Sequence, residues 1–152
     1  MNDIKYNEAT ILAVDDEPIN LKLLEGIFKN NNYTSLELET DPRNVLARYE
    51  ANRPDLILMD INMPHLNGYQ VIEQLMALND PLLPPILVLT AQNSEEVLLQ
   101  ALEAGARDFL SKPFNIKLLL MRVRNLLEAQ LDYKALYTRN EELEKVLKSS
   151  SS

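Results

Sequence analysis

The sequence predicts an α/β fold in which an open, doubly wound parallel sheet is covered by helices on both faces. Short apolar runs alternate with segments of helical periodicity, and this order recurs five times along the chain. The clearest apolar runs are continuous rather than alternating, which is typical of strands covered on both faces of a parallel sheet. Right-handed crossovers and short connections restrict such an arrangement to doubly wound topologies.

Five segments are predicted to be strands. Continuous apolar sequence marks residues 11–14, 56–59 and 86–89, which we expect to form the centre of the sheet. Residues 33–38 and 107–111 are less uniformly apolar and are weaker candidates. Each of the five segments is followed by a segment with helical periodicity, so the chain repeats a strand and a helix.

Apolar residues at helical spacing predict a helix after each strand. Pro18 can begin the first helix, because a proline at the first helical position gives up no useful hydrogen-bond donor. Gly105 can end the fourth helix as its C-terminal cap. The spacing of the first four helices is defined by Leu23, Leu24, Ile27 and Phe28, by Val45, Leu46 and Tyr49, by Val71, Ile72, Leu75 and Met76, and by Val97, Leu98, Ala101 and Leu102.

The fifth helical segment is predicted to extend well beyond the globular part. It begins near Asn115 and contains no glycine or proline up to Lys148, so it would span about 51 Å if it were helical throughout. Its second half has a heptad pattern that predicts a parallel two-stranded coiled coil, in which one polar asparagine fixes the register. A long helix that packs on an absent neighbour is the alternative. The a positions are Leu126, Tyr133, Asn140 and Leu147, and the d positions are Ala129, Leu136 and Leu143.

These patterns divide the chain into three parts. We expect a globular domain at residues 1–124 and a helical coiled-coil linker at residues 125–148. Four consecutive serines follow at residues 149–152, which suggests an artificial addition or a truncated linker.

Composition restricts the possible functions. Hydrophobic residues make up 46% and charged residues 25% of the 152 residues, as expected of a globular protein. The absence of cysteine excludes disulfides and thiolate metal sites. A net charge of -8 disfavours binding to nucleic acid or anionic membranes, because their phosphate groups repel an acidic surface. No apolar run approaches the ~20 residues of a membrane span and the N-terminus is polar, so we expect a cytoplasmic protein.

Polar side chains follow four of the five predicted strands. Asp15 and Asp16 come after the first strand, Asp60 after the third, Thr90 after the fourth and Lys112 after the fifth. Ligands of open α/β sheets bind outside the carboxyl ends of the strands, so we expect these groups to meet. Each residue alone would more often be a turn, a cap or a solvated side chain. Independent structural explanations at four strand ends are much less probable than one shared site.

The residue types at this edge suit phosphoryl transfer. Three carboxylates crowded within ~4 Å repel by roughly 4 kcal/mol per pair, and a hard divalent cation such as Mg²⁺ removes that repulsion. A carboxylate beside Mg²⁺ can attack a phosphoryl group and form an aspartyl phosphate. Lys112 and Thr90 could supply balancing charge and a hydrogen-bond donor to the phosphoryl oxygens.

Four motifs resemble the receiver domains of bacterial response regulators. The resemblance covers residues 9–124, and the motifs together, in this order and separation, are highly specific. They are Val14-Asp15-Asp16-Glu17-Pro18, Met59-Asp60-Ile61-Asn62-Met63-Pro64, Leu89-Thr90-Ala91 and Lys112-Pro113-Phe114.

The resemblance implies a role for each residue at the predicted site. Asp60 would accept a phosphoryl group from a histidine kinase or a phosphotransfer protein. Asp16 and Asp60 would bind Mg²⁺ directly, Asp15 would act mainly through water, and the backbone carbonyl of Asn62 would be a further ligand. Lys112 would contact the phosphoryl group.

The resemblance also implies a switch and a fold. Thr90 would move toward the phosphoryl group, and Phe109 would follow as the aromatic switch residue. The fold would be flavodoxin-like, with strand order 2-1-3-4-5 and a cis peptide between Lys112 and Pro113. In the loop after Asp60, Asn67 stands where many relatives have aspartate, and it can serve the same turn or cap.

The helical tail, with its sequence Leu131-Asp132-Tyr133-Lys134-Ala135-Leu136-Tyr137, resembles linkers that lead into cyclic-di-GMP enzymes. This resemblance implies an output domain after the coiled coil.

Two other classes of function remain open. One is a hydrolase that passes through an aspartyl phosphate, but such an enzyme needs an acidic residue two positions after Asp60, where this chain has Asn62. The other is a dimerisation module that never reacts with phosphate. The intact set of three aspartates, Thr90 and Lys112 counts against that module.

Overall fold

The computed structural model describes residues 6–91, 94–113 and 115–150, and at Ser150 it describes the backbone alone. Five parallel strands form one sheet in the order β2-β1-β3-β4-β5. The predicted flavodoxin-like order is thereby confirmed. The strands are β1 (Thr10–Val14), β2 (Ser35–Glu39), β3 (Leu56–Asp60), β4 (Ile86–Thr90) and β5 (Asp108–Ser111).

Five helices connect and follow the strands, and short 3-10 helices precede β1 and α2. The helices are α1 (Pro18–Asn30), α2 (Val45–Asn52), α3 (Gly68–Met76), α4 (Glu95–Ala104) and α5 (Ile116–Ser150). Within the described ranges, no helix is both long enough and apolar enough to cross a membrane. Phe114, the last residue of the fourth motif, lies outside the described residues.

The sheet separates two apolar layers, as the continuous apolar runs predict. Ile11, Leu58 and Leu87 face the layer formed with α1 and α5. The alternate residues, among them Leu12 and Met59, face the layer formed with α2, α3 and α4. The three central strands are therefore buried on both faces.

Helix ends follow the predicted local signals. Pro18 is the first residue of α1, and Gly105 ends α4 with a φ of 128° that favours glycine. Asn67 begins α3 with a reciprocal capping box, in which its side chain accepts from the N–H of Gln70 and the Gln70 side chain accepts from the N–H of Asn67. The predicted capping role of Asn67 is therefore confirmed.

Helix α5 has 35 residues and is about 52 Å long. We call residues 125–148 the stalk. Its first part packs on the sheet, where Leu127 is fully buried, whereas every side chain from residue 138 to residue 149 is exposed. The helix continues two residues past Lys148, into the serine run that the sequence pattern had placed outside it.

Candidate functional site

Parallel strands bring the predicted polar residues to one edge of the sheet. Asp15 and Asp16 follow β1, and Asp60 is the last residue of the neighbouring strand β3. Thr90 ends β4, and its carbonyl oxygen accepts a hydrogen bond of 2.7 Å from the backbone N–H of Lys112, which follows β5. The carboxyl ends of four strands thus supply one site.

Three carboxylates form the acidic part of the site. One oxygen atom each from Asp15, Asp16 and Asp60 lies within 4.8 Å of the others. Asp15 and Asp60 are only 4% and 9% exposed, whereas Asp16 is partly exposed to solvent. An all-oxygen donor set that is open to water on one side suits Mg²⁺, which binds few carboxylates and retains several waters. The residues present therefore fit a divalent cation.

Lys112 supplies the positive charge of the site. Its Nζ lies 3.0 Å from Asp15 Oδ2 and 3.5 Å from Asp60 Oδ1. Burial lowers the pKa of Lys112, but the carboxylates of Asp60 and Asp15 more than offset that effect and raise the pKa above its ordinary value. Lys112 is therefore charged at neutral pH and bridges two of the three carboxylates.

The surroundings of Asp60 disfavour its charged form. The pKa of Asp60 is raised to about 6, mainly by burial; the carboxylates of Asp15 and Asp16 also raise it, and the Lys112 ammonium lowers it. Removal from water disfavours the charged form of a carboxyl group, and nearby like charges add to this effect. Asp60 is consequently ionised at neutral pH, but in an environment that stabilises any added positive charge.

Two groups that fix Asp15 were not predicted from the sequence. The side chain of Asn20 donates to Asp15 Oδ2 at 3.1 Å, and the backbone N–H of Glu17 donates to Asp15 Oδ1 at 3.0 Å. Asn20 lies in the first turn of α1, and no motif marks it. Its position depends on the direction in which α1 leaves the sheet, which local periodicity does not encode.

Gly68 is a second residue that sequence reasoning missed. A Cβ atom at this position would lie 2.5 Å from the backbone oxygen of Asp60 and 2.9 Å from Ile61 Cα. The Gly68 N–H also donates to the Ile61 carbonyl at 2.8 Å. The start of α3 therefore packs directly on the end of β3, and only a glycine allows this approach. Its place in the loop after Asp60 was the only signal in the sequence.

The remaining predicted residues lie beside this centre. Asn62 is exposed in the loop two positions after Asp60, and Thr90 is fully buried. Phe109 lies on β5 opposite Val88 of β4, half-buried against the layer that contains α3 and α4. The implied cis peptide between Lys112 and Pro113 is present.

The heptad residues of the stalk form a separate surface. Leu126 packs against the core, whereas Ala129 and Asn140 are exposed. The larger side chains remain open to solvent along the helix. Their exposed fractions are 46% for Tyr133, 58% for Leu136, 54% for Leu143 and 66% for Leu147.

Comparison with known families identifies the chain's class. Residues 11–124 match the family described as the response regulator receiver domain. This match covers most of the chain, and the fold and the acidic edge of the sheet agree with it. The chain therefore belongs to the receiver domain family, whose members are phosphorylation-activated switches of two-component signalling rather than a family of enzymes.

Curated relatives support this assignment. Response regulator MprA of Mycolicibacterium vanbaalenii is 43% identical over 117 residues, which are 77% of this chain and 49% of the relative. The protein of the same name in Mycobacterium leprae is also 43% identical over 117 residues, which are 77% of this chain and 50% of that relative. The chain thus spans about half the length of the curated relatives it matches.

Solved structures agree with the fold. The receiver domain of the Francisella response regulator 1452 matches with a TM-score of 0.74 and 28% identity, over 80% of this chain and 98% of that one. The Vibrio cholerae chemotaxis protein CheY4 matches with a TM-score of 0.72 and 30% identity, over 78% of this chain and 98% of that one.

Proposed function

We propose that Asp60 is the residue that accepts the phosphoryl group in this receiver domain. The observation that carries this proposal is its position at the end of the central strand β3, beside two carboxylates and 3.5 Å from the Lys112 ammonium. One Asp60 oxygen would attack phosphorus, the bond from phosphorus to the donor would break, and the donor would leave with the electron pair. Lys112 would then move its contact from the carboxylate to the phosphoryl oxygens.

Asp15, Asp16 and Asp60 would hold Mg²⁺, together with the backbone carbonyl of Asn62. When bound, the ion would neutralise charge on the carboxylates and on the incoming phosphoryl group. The side chain of Asn20 and the backbone N–H of Glu17 orient Asp15 through hydrogen bonds. These hydrogen bonds would hold the Asp15 carboxylate in position to bind the ion or the water ligands of the ion.

The phosphoryl donor would be a histidine kinase or a phosphotransfer protein. Beside the acidic edge is a largely apolar groove of about 430 Å³, between α1 and the residues that follow β5. Leu23, Ile27 and Ile116 line its walls, and Asp15 and Lys112 are also among its lining residues. An apolar surface next to the acceptor is suited to a protein donor, which must bring its phosphorylated side chain to Asp60.

Phosphorylation of Asp60 would act through Thr90 on β4 and Phe109 on β5. Both residues lie on adjacent strands, with Thr90 opposite Ser111 and Phe109 opposite Val88. A hydrogen bond from the Thr90 hydroxyl to the phosphoryl group would pull that side chain toward Asp60 and change the space available to Phe109. The change would favour one of two pre-existing conformations of the surface formed by α4, β5 and α5.

The stalk would transmit this change to an output domain beyond residue 148. We propose that residues 1–124 act as the switch and that residues 125–148 form a parallel homodimeric coiled coil. The exposed stripe at Leu136, Asn140 and Leu143 supports such a dimer. The resemblance of the tail to linkers of cyclic-di-GMP enzymes makes a cyclase or a phosphodiesterase the proposed output.

Phosphorylation with a small-molecule donor tests the acceptor. Incubation with acetyl phosphate and Mg²⁺ should add one phosphoryl group to the wild-type chain, as measured by intact-mass spectrometry. Asp60→Asn should abolish the addition, and chelation of Mg²⁺ should prevent it in the wild type. Asp41→Asn is a matched control, because Asp41 is a carboxylate outside the site, paired with Arg43. An unchanged yield in Asp60→Asn would identify a different acceptor, and no addition at all would favour the dimerisation module.

A further inference from the structure

The stalk and the loop before β4 enclose a groove on the side of the domain away from Asp60. The groove has a volume of about 260 Å³. Pro81, Leu83 and Pro85 form one wall, and Ala129 and Tyr133 of the stalk belong to the other. We call this feature the stalk groove.

Polar contacts hold the stalk against this loop and against Asp55, which precedes β3. Gln130 is 6% exposed, and its side chain donates to the Leu82 carbonyl at 3.1 Å. Lys134 forms an ion pair with Asp55, whose second oxygen accepts from the backbone N–H of Thr10 at 3.0 Å. The groove is therefore bounded on both walls by anchored backbone, and its shape does not depend on a free loop.

The stalk wall of the groove contains the first residues of the heptad stripe. Leu126, Ala129 and Tyr133 are the first three a and d positions, and all three line the groove. Gln130 and Lys134, which contact the domain, lie at positions e and b, on a neighbouring face of the helix. Leu126 is partly buried against the core, whereas Ala129 and Tyr133 are exposed and accessible to a partner. A helix packed along the stripe would consequently enter the stalk groove at its receiver end.

The occupant that fits this position is the stalk of a second copy. The stripe continues past the groove through Leu136 and Leu143, which are 58% and 54% exposed. A single helix that projects into water without packing is only marginally stable, so a partner helix packed along this length would stabilise it. Charge favours a parallel arrangement, because Arg139 at position g would face Glu144 at position e of the second copy.

We propose that the stalk of a second copy packs into the stalk groove, so that the dimer interface includes the receiver loop at Pro81 and Leu83 as well as the coiled coil. This inference rests on the proposed homodimer. In such a dimer each receiver domain touches the helix of the other chain directly. A shift of β4 or its preceding loop would reach the partner's stalk without passing along its own helix.

Cysteine cross-linking tests the contact, because the chain has no native cysteine. One preparation carries Pro81→Cys and a differently tagged preparation carries Ala129→Cys, and the two are mixed, allowed to exchange and treated with a short bismaleimide. Each chain then has a single thiol, so a product with both tags forms only between chains. Ala135→Cys replaces Ala129→Cys in the control, since Ala135 is also exposed and lies at position c, on the far side of the stalk.

We expect the Pro81→Cys and Ala129→Cys pair to give at least several-fold more cross-linked heterodimer than the control pair. Light scattering and self-cross-linking of Tyr133→Cys report the coiled coil separately. A dimer that cross-links at position 133, with equal yields for the two mixed pairs, overturns the groove contact while leaving the coiled coil. A monomer in solution overturns both, whereas the Asp60 proposal has its own test by mass spectrometry.

Discussion

Asp60 is held in an environment that opposes its own charge. The fold buries it next to Asp15 and Asp16, and its pKa rises to about 6 even though the nearby Lys112 ammonium lowers it. The proposed chemistry requires Asp60 to be ionised. Its buried charge therefore lowers the free energy of unfolding when no cation is bound. This cost is a property of the site, since the same carboxyl in the unfolded chain has its ordinary pKa near ~3.9.

Asp60→Asn is expected to stabilise the protein in chelator by about 3 kcal/mol at pH 7.5, because the amide removes the buried charge and each unit of pKa shift is worth about 1.4 kcal/mol. The folded state binds the Asp60 proton more tightly than the unfolded state, so the wild type loses stability as pH rises from about 4 to about 6. The gain from the variant should therefore be small at pH 4 and complete above pH 7. Urea unfolding in chelator across this range measures it, and a gain that does not vary with pH would contradict the cause.

Gly68→Ala is expected to destabilise the domain by about 1–3 kcal/mol, because its Cβ would overlap the Asp60 backbone at 2.5 Å. Gly26→Ala is the matched control. No atom lies within 4 Å of a Cβ at Gly26, inside α1, so this change should stabilise by up to ~1 kcal/mol through helix propensity. Thermal unfolding of both variants measures the two changes in stability. Equal effects at the two glycines would show that close packing at Gly68 is unimportant.

Helix α5 combines two functions along one length. Its beginning is part of the domain core, where Leu119, Val123 and Leu127 are fully buried. Its end has the residue pattern of a coiled coil, and the side chains from residue 138 to residue 149 are exposed to solvent. Gln130 and Lys134 mark the transition, because their side chains contact Leu82 before β4 and Asp55 before β3, ahead of this exposed part.

Charge reversal tests the direction of the two stalks. Arg139→Glu should weaken dimerisation, since it places like charges opposite each other in a parallel coil, at about 0.2–1 kcal/mol for each of the two symmetric pairs. Adding Glu144→Arg should restore the affinity of the wild type. Analytical ultracentrifugation at low salt measures the dissociation constants. Failure of the second change to rescue the first would exclude the parallel register that the heptads predict.

The sheet and its helices were predictable because their signals are local. Continuous apolar runs such as residues 86–89 can be read directly from the sequence, and so can Pro18 and Gly105 at helix ends. The strand order came from the resemblance, and the structure confirms it. The edge strand β2 lies at Ser35–Glu39 rather than at residues 33–38. Its apolar signal in the sequence is weak because all of its residues except Glu39 are only partly buried.

The supporting contacts were not predictable for a related reason. Asp15, Asp60 and Lys112 stand at strand ends, so the topology alone brings them together. Asn20 reaches Asp15 only because of the angle of α1, and Gln130 reaches the loop before β4 across 48 positions of sequence. Such contacts depend on how whole elements pack, and one sequence carries no separate signal for them.

Association of the whole molecule is expected to respond to phosphorylation. Beryllofluoride with Mg²⁺ imitates a phosphoryl group on an aspartate, and it should shift the mass distribution toward the dimer as measured by light scattering. Asp60→Asn should show no shift under the same conditions. A wild type that is dimeric before and after addition would indicate a constitutive coil, in which the signal travels as a rearrangement within the dimer.

Anchoring of the stalk at Gln130 and Lys134 also fixes the azimuth at which the helix leaves the domain. Each residue of an α-helix turns by about 100° and advances by 1.5 Å, so seven added residues would move an attached domain by about 10 Å with almost no rotation. Two added residues would turn it by roughly 200°. Insertion of whole heptads between the receiver domain and an output domain is therefore expected to preserve signalling, whereas insertions of intermediate length are expected to abolish it.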